Sequence, residues 1–187
     1  MKDTIERIFK ESIAVKEKAL AKNVEKISEA ASTILTAINN GGTVFFFGNG
    51  GSAADSQHIA AEFIGRFQKE RRALPAIALT TDTSILTALG NDYSLDIIFA
   101  RQLEGLAKKG DVAVGISTSG NSGNVVEGIK KAKELGLKTI SLTGHEGGAL
   151  ASMTDVSIIV PSQSTARIQE SHLCVAHCIC ELVEENI

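Results

Sequence analysis

Five short apolar runs follow one another after Gly42, and none of them alternates regularly between apolar and polar residues. Such runs are typical of strands buried on both faces, and the helical segments between them favour a parallel sheet covered on both sides. We therefore predict an α/β fold, namely a three-layer α-β-α sandwich with a five-stranded parallel sheet. The predicted strands are residues 43–47, 76–79, 111–116, 137–142 and 156–160.

The first 40 residues predict a long amphipathic helix that precedes the sheet. Apolar residues recur there at steps of three and four, and Asn40-Gly41-Gly42 is a helix-ending signal. Such a helix needs a partner for its apolar stripe, which is either the body of its own chain or a second subunit. At 187 residues we expect one domain, with residues 1–40 as an oligomerisation arm and residues 41–187 as the α/β body.

The composition argues against nucleic acid and membranes as partners. The net charge is −3, and aromatic residues make up 4% of the chain, with no Trp to stack on bases. No apolar stretch reaches membrane-spanning length and the arm has no secretory signal, so we expect a cytoplasmic protein. Cys174, Cys178 and Cys180 lack the spacing of a disulfide framework, and we expect them to be buried and reduced.

Polar and glycine-rich loops follow the predicted strands, at the edge where open α/β sheets bind their ligands. One of them, the serine loop Ser117-Thr118-Ser119-Gly120-Asn121-Ser122, carries four hydroxyls just before a helix predicted over 123–134. Hydroxyl and backbone N–H groups at a helix N-terminus favour an anion, and the absence of Lys and Arg suits a small phosphorylated metabolite. We expect Gly120 to let the backbone approach this ligand. Simple helix capping is the alternative, although one hydroxyl would suffice for it.

A second loop, the glycine loop Gly48-Asn49-Gly50-Gly51-Ser52-Ala53, matches the G-x-G-x-x-A pattern of dinucleotide-binding proteins. That pattern requires an acidic residue about twenty residues further on, whereas Asp82 lies much later in the chain. Dinucleotide binding is therefore a minor alternative. No Gly-Lys-Ser/Thr phosphate loop occurs in the chain, which argues against an NTPase.

Ionisable residues follow one side of the helix predicted over 52–67. The residues on this side are Asp55, His58, Glu62 and Arg66. The simple interpretation is a solvated face, but the His–Glu pair is four residues apart, a spacing that lets both side chains reach one metal ion. The last predicted helix, over 166–185, is largely apolar and yet contains His172 and His177. These histidines are either satisfied core residues or part of a site.

Five longer motifs occur in order along the chain. They are Gly48-Asn49-Gly50-Gly51-Ser52-Ala53, Gln57-His58-x-x-x-Glu62, Gly90-Asn91-Asp92, Gly115-Ile116 with the serine loop, and Arg167-Ile168-Gln169-Glu170-x-His172-x-x-x-x-His177. Together they resemble the sugar-isomerase (SIS) fold family, and within it the phosphoheptose isomerases. The resemblance implies conversion of D-sedoheptulose 7-phosphate to D-glycero-D-manno-heptose 7-phosphate, the first step of bacterial heptose biosynthesis. It also implies a homotetramer with active sites between subunits.

The resemblance further implies roles for residues at the matching positions. The implied substrate-binding residues are Asn49, Gly50, Gly51, Glu62, Asn91, Asp92, Ser117, Thr118, Ser119, Ser122 and Gln169, with the four hydroxyls on the phosphate. The implied ligands of one zinc ion per subunit are His58, Glu62, Gln169 and His177, without a nucleotide cofactor. Glu62 and His177 match the family's acid–base pair. Ketose–aldose isomerisation needs a base near a substrate carbon and an acid near its oxygens, which these two residue types can supply.

Two non-catalytic functions remain as alternatives. An SIS relative that associates with the replication initiator shares the fold and much of both loops, but lacks a Glu and a His at positions 62 and 177. A sugar-phosphate-sensing SIS module would need the serine loop alone. This chain has both Glu62 and His177, and a buried carboxylate and imidazole without a chemical task would be costly to keep. The isomerase is therefore the favoured interpretation.

Overall fold

A fully parallel sheet in the order β2-β1-β3-β4-β5 forms the centre of the structure, a computed structural model that describes residues 1–187. The strands are β1 (Val44–Gly48), β2 (Ala76–Ala78), β3 (Val112–Ser117), β4 (Lys138–Gly144) and β5 (Val156–Val160). All five coincide with predicted strands, apart from small differences at their ends. The prediction of a five-stranded parallel sheet is therefore confirmed.

Helices cover both faces of this sheet. They are α1 (Lys2–Asn39), α2 (Gly51–Ile64), α3 (Thr83–Asp92), α4 (Ile98–Leu106), α5 (Gly123–Glu134), α6 (Gly148–Met153) and α7 (Thr165–Glu185), with a short 3-10 turn at Leu95–Ile97. A core of 25 buried residues joins one sheet face to α1, α2 and α7, and a core of 12 joins the other face to α4, α5 and α6. The three-layer prediction is confirmed. No helix combines the length and apolar character that crossing a membrane requires.

The helix predicted over 52–67 is shorter than expected, because α2 ends at Ile64. The Arg71 guanidinium explains the early end, since it donates to the carbonyl oxygens of Glu62 at 2.8 Å and Phe63 at 3.0 Å. Both carbonyls belong to the last turn of α2, where intrahelical donors run out, and the Phe63 carbonyl also accepts the Leu74 N–H at 3.0 Å. Arg66 and Phe67 therefore lie beyond the helix, and Arg66 pairs with exposed Glu70 instead of extending the polar stripe.

The second half of α1 packs on the chain's own body. Asn23 is buried there and forms a reciprocal pair with the edge strand β5: its Nδ2 donates to the Ile159 carbonyl at 3.0 Å, and its Oδ1 accepts from the Ile159 N–H at 3.1 Å. This pair occupies backbone groups that an edge strand otherwise leaves open. The first half of α1 differs, because its larger apolar side chains are exposed. Those with more than half of their surface exposed along α1 include Ile5, Phe9, Ile13, Leu20 and Val24.

The strand order places a topological switch point between β1 and β3. The chain leaves β1 towards β2 on one side, whereas β3 leads on to β4 and β5 on the other. In sheets of this order the loops after the two central strands leave a crevice between them, where ligands bind. The glycine loop follows β1 and the serine loop follows β3. The topology thus brings the two predicted binding loops together.

His172 is fully buried on α7, against the carboxyl end of β4. Its Nε2–H donates to the Thr143 carbonyl oxygen at 2.9 Å, while its Nδ1 atom has no partner. Burial lowers the pKa of His172 to about 4, and the bond to Thr143 offsets this only in part. The imidazole is therefore neutral in the folded chain near neutral pH. Thr143 pairs with Ser117 in the sheet, so His172 supports the strand beside the serine loop.

We predict that His172 makes the fold sensitive to acid. In the unfolded chain the imidazole binds a proton below its ordinary pKa of 6.5, whereas in the folded chain it does so only near 4. The stability due to neutral His172 is complete above pH 6.5 and is lost as the pH falls towards 4, by about 3 kcal/mol. Urea unfolding of wild type and His172→Gln at fixed chain concentration, from pH 7.5 to pH 4, measures this loss as a change in their difference. Parallel pH profiles of the two proteins would contradict the assignment.

Candidate active site

Three of the four hydroxyls of the serine loop, those of Ser117, Ser119 and Ser122, converge at the start of α5. Ser117 is buried at the end of β3, and its Oγ lies 2.9 Å from Ser122 Oγ and 3.4 Å from Ser119 Oγ. Ser119 Oγ also accepts the Asn121 N–H at 3.1 Å. Asn121 in turn holds the next loop, because its Oδ1 accepts the Ala149 N–H at 2.9 Å. The loop is thus a fixed cluster of hydroxyls.

Helix capping does not account for these hydroxyls. Ser122 is the N-cap residue of α5, yet its side chain makes no capping hydrogen bond. The N–H groups of the first turn of α5 therefore have no side-chain cap, and the dipole of this helix adds a partial positive charge beside the hydroxyls. A neutral cluster of donors of this kind is suited to an anion such as a phosphate monoester.

The structure shows a packing role for the glycine at position 120, in addition to the predicted one. Its φ of +69° favours glycine, and a Cβ at this position would overlap the Gly147 backbone. Gly120 therefore allows the serine loop to pack closely on the loop after β4, a requirement for glycine that holds without any ligand. The Gly147–Gly148 pair on the other side, both with positive φ, matches this close approach.

The glycine loop packs against the beginning of α7. Gly50 has a φ of +56°, and a Cβ at Gly51 would overlap the Gln169 side-chain amide. Gln169 therefore lies directly against the glycine loop, in agreement with its place among the implied substrate-binding residues. The acidic residue considered for a dinucleotide, Asp82, is used otherwise, because its carboxylate caps α3 by accepting the Ile85 N–H at 2.9 Å. The arrangement gives no support to the dinucleotide alternative.

Two helices bring His58, Glu62 and His177 together as the His–Glu–His cluster. One potential ligand atom from each of these residues lies within 4.8 Å of the others. On α2, His58 Nε2 and Glu62 Oε1 are 3.0 Å apart, and the His58 ring meets the His177 ring of α7 edge to face at a centroid distance of 5.2 Å. Part of the ionisable side of α2 therefore borders α7 of its own chain, while His58 stays exposed and Glu62 is half-buried, so this side is a solvated face only in part.

A buried carboxylate holds the cluster's two helices in place. Glu184, near the end of α7, accepts the N–H groups of Phe67 at 2.9 Å, Gln68 at 2.6 Å and Lys69 at 2.8 Å, and lies 2.9 Å from Arg71 Nε. Burial raises the pKa of Glu184, but these amides and the Arg71 charge lower it further, so the net shift is downward. Phe67, held in this way, packs its ring 5.3 Å from that of His177.

Two further ionisable groups border the cluster. Burial raises the pKa of the Asp55 carboxyl, whose Oδ2 has no hydrogen-bond partner, and neighbouring His58 lowers it in part. Burial and, secondly, the charge of Glu62 raise the pKa of Cys180 to about 12, so its thiol stays protonated. Cys180 is thus buried as predicted, whereas Cys174 and Cys178 are exposed on the chain, contrary to expectation.

The cluster fits a metal ion by two observations. Imidazole nitrogens and a carboxylate oxygen are the donors that zinc takes in proteins, and all three are within reach of one point. The Nε2 atom of His177 is buried without a hydrogen-bond partner, and an ion would satisfy it. Gln169, the fourth predicted ligand, is about two helical turns from His177 along α7 and lies against Gly51. The chain thus brings together three of the four predicted ligands.

Asn91 and Asp92 lie apart from these groups within the single chain. Both are exposed at the end of α3, and the side-chain amide of Asn91 donates to Asp92 at 2.8 Å. Neither side chain bonds to the serine loop or to the cluster, so their predicted contact with the sugar stays a prediction.

Asn124, which sequence reasoning missed, bonds to Asn49 of the glycine loop. The sequence signal that could have identified Asn124 is its position, because it places a side-chain amide in the first turn of the helix after the serine loop.

Comparisons with known proteins agree with this geometry. The SIS domain family matches residues 8–144. The phosphoheptose isomerase of Aquifex aeolicus (strain VF5) is 56% identical over 187 residues, covering 100% of this chain and 98% of that protein. Solved phosphoheptose isomerases of Neisseria gonorrhoeae and Francisella tularensis are 46% and 38% identical, with TM-scores of 0.93 and 0.95 and 98% of each chain covered. The chain therefore belongs to the SIS domain family and, within it, to the phosphoheptose isomerases.

Proposed function

We propose that the chain is an aldose–ketose isomerase that converts D-sedoheptulose 7-phosphate to D-glycero-D-manno-heptose 7-phosphate, the first step of bacterial heptose biosynthesis. The observation that carries this proposal is the meeting of Glu62 and His177 in one cluster, on a chain that also has the serine loop. Relatives named phosphoheptose isomerase at 49% to 56% identity support it. The product would supply heptose for surface glycans such as lipopolysaccharide.

Glu62 is the proposed base for the carbon-bound proton. Its carboxylate removes the C1 proton of the ketose, the C1–H electron pair becomes the C1–C2 double bond, and the C2 carbonyl pair moves onto its oxygen. The resulting enediol(ate) regains the proton at C2 from the Glu62 carboxyl, which completes the aldose. Glu62 is half-buried beside His58, where solvent can exchange the proton that it carries, so deuterium from D₂O can reach C2.

His177 is the proposed group for the oxygen protons. It donates a proton to the C2 oxygen as the enediol(ate) forms, and it takes the proton of the C1 hydroxyl as the aldehyde forms. Imidazole suits this double role because its ordinary pKa lies near neutrality. The edge-to-face contact with His58 and the contact with Phe67 fix the ring in one place.

Zinc is the proposed cofactor, held by His58, Glu62 and His177, with Gln169 as the fourth ligand. When bound, it would act as a Lewis acid that stabilises negative charge on the substrate oxygens. Glu62 is thus proposed both to bind zinc and to transfer the proton. Each task can use a different oxygen, because a carboxylate has two oxygens and His58 Nε2 is close to only one of them.

The two non-catalytic alternatives are less well supported. Both the replication-initiator-associated protein and the sugar-phosphate sensor would leave Glu62 and His177 without a task. In this chain the two residues are not scattered, since they lie in one cluster with His58. The high identity to phosphoheptose isomerases also disfavours both alternatives.

The proposed assembly is a homotetramer with active sites between subunits. The exposed apolar side chains of α1 support it, because a stripe that includes Ile5, Phe9 and Ile13 is typical of an interface. Asn91 and Asp92, free of other partners, would then reach the sugar from a neighbouring subunit. The cytoplasm is the proposed location, which suits a chain with three free cysteines.

Glu62→Gln tests the proton transfer. The amide keeps the size and one oxygen ligand but cannot accept the C1 proton, so we expect kcat to fall about 10²- to 10⁴-fold with KM little changed. The measurement is turnover of sedoheptulose 7-phosphate in D₂O, with deuterium at C2 of the product read by NMR. Glu70→Gln, an exposed carboxylate just after α2, is the matched control and should behave as wild type. Normal turnover and deuterium transfer in Glu62→Gln would exclude the proposed base.

Chelation followed by metal titration tests the zinc site. We expect the chelated protein to lose activity and to take up one zinc ion per chain, counted by metal analysis, with recovery of turnover. His177→Ala removes a ligand whose Nε2 has no other partner, so we expect zinc affinity to fall about 10-fold or more. His145→Ala is the control, because that histidine is bonded to Gln163 and lies outside the cluster. Equal zinc uptake by His177→Ala and wild type would remove this ligand from the site.

Lysine substitutions on the exposed apolar stripe of α1 test whether this stripe forms the subunit interface. Sedimentation should give a tetramer for wild type, and Phe9→Lys with Ile13→Lys should produce smaller species, because two lysines cannot be buried without partners. Lys18→Gln, an exposed residue on the other side of α1, should leave the tetramer intact. A wild-type monomer, or a tetramer that tolerates both lysines, would show that this stripe is not the interface.

A further inference from the structure

Two side-chain amides join the glycine loop to α5. Asn49 Nδ2 donates to Asn124 Oδ1 at 2.7 Å, and Asn124 Nδ2 donates back to Asn49 Oδ1 at 2.9 Å. The two residues are 75 positions apart in the sequence. Asn49 precedes Gly50, the N-cap residue of α2, and Asn124 lies in the first turn of α5. The amide pair therefore ties together the N-termini of the two helices that begin at the switch point.

This pair adds a side-chain anchor to the glycine loop, whose Asn49 and Gly50 carbonyls also accept N–H groups at the start of α2. Gly50 and Gly51 have no side chains to anchor them, and glycine gives the backbone wide conformational freedom. The two bonds to Asn124 are the only hydrogen bonds that a side chain of the Asn49-Gly50-Gly51 segment makes. Gln169 packs on the other side of the loop, against Gly51, without a hydrogen bond to it. Asn124 is thus the one side chain that bonds this segment to the serine-loop helix.

The pair also leaves both amides able to bind a sugar. Each asparagine amide has two N–H donors and a carbonyl oxygen with two lone pairs. The reciprocal bonds use one N–H and one lone pair of each residue. One donor and one acceptor of Asn49 therefore stay free, and a sugar hydroxyl can both accept and donate.

We propose that Asn124 is a positioning residue for substrate binding: it fixes the Asn49 amide so that Asn49 binds the sugar's hydroxyls, and it acts through Asn49 without holding the phosphate. This inference rests on the proposed function. It gives the start of α5 two separate tasks, since the serine loop binds the phosphate and Asn124 orients a group for the carbon chain. The ligand class is a phosphorylated polyhydroxy sugar.

A double-mutant cycle tests the inference, with Asn49→Ala, Asn124→Ala and the combined variant. We expect Asn124→Ala to raise KM for sedoheptulose 7-phosphate about tenfold, the value of one to two neutral hydrogen bonds, with kcat within about twofold. The combined variant should match Asn49→Ala alone, because Asn124 acts through Asn49. Inhibition by inorganic phosphate, which probes only the serine loop, should be unchanged in all three. Lys130→Ala, exposed on the same helix, is the control.

Other outcomes overturn the inference in distinguishable ways. Strictly additive effects on KM would mean that Asn124 acts independently of Asn49. Weaker inhibition by inorganic phosphate in Asn124→Ala would make Asn124 a phosphate ligand. If wild type does not turn the sugar over, the proposed function fails, and the same cycle measured as binding of the sugar phosphate by calorimetry still decides the role of Asn124. Should Asn124→Ala unfold at a lower temperature than the control, Asn124→Ser replaces it in the cycle.

Discussion

The binding of Glu184 to the segment after α2 is the interaction on which the site depends most. Its buried carboxylate accepts three consecutive backbone N–H groups and pairs with the Arg71 guanidinium. Arg71 in turn binds the last carbonyls of α2, so one ion pair joins the ends of α2 and α7. Removing one member of such a buried pair typically costs about 3–5 kcal/mol, which would loosen the contact between the ends of the two helices. The His–Glu–His cluster exists only while these helices stay in contact.

A second constraint is the strand order of the sheet. Because β1 and β3 are neighbours at a switch point, the helices that follow them start side by side. The serine loop lies at one of these N-termini, and the glycine loop at the other carries Asn49. In the proposed function the serine loop binds the phosphate, whereas Glu62 in the last turn of α2 and His177 on α7 transfer the protons. Phosphate binding and proton transfer would then fall to different parts of the same fold, so that binding energy could orient the reacting carbons.

The strands and the serine loop could be predicted from the sequence because their signals are local. An unbroken apolar run indicates a buried strand, and hydroxyls before an amphipathic segment indicate a helix N-terminus. The contacts that define the site are not local. Glu62 and His177 meet only through the packing of two distant helices, the early end of α2 depends on Arg71, and Gly120 is required by Gly147 of another loop. The reciprocal bond between Asn49 and Asn124 likewise joins residues 75 positions apart.

The central claim is that the His–Glu–His cluster moves protons on a sugar whose phosphate lies on the serine loop. A crystal structure of the Glu62→Gln variant with sedoheptulose 7-phosphate bound tests this claim most directly, since slow turnover would preserve the substrate. We expect the phosphate to contact the hydroxyls of Ser117–Ser122 at the start of α5, and C1 and C2 to lie in contact with residue 62 and His177. A phosphate bound elsewhere, or reacting carbons remote from every copy of the cluster, would contradict it.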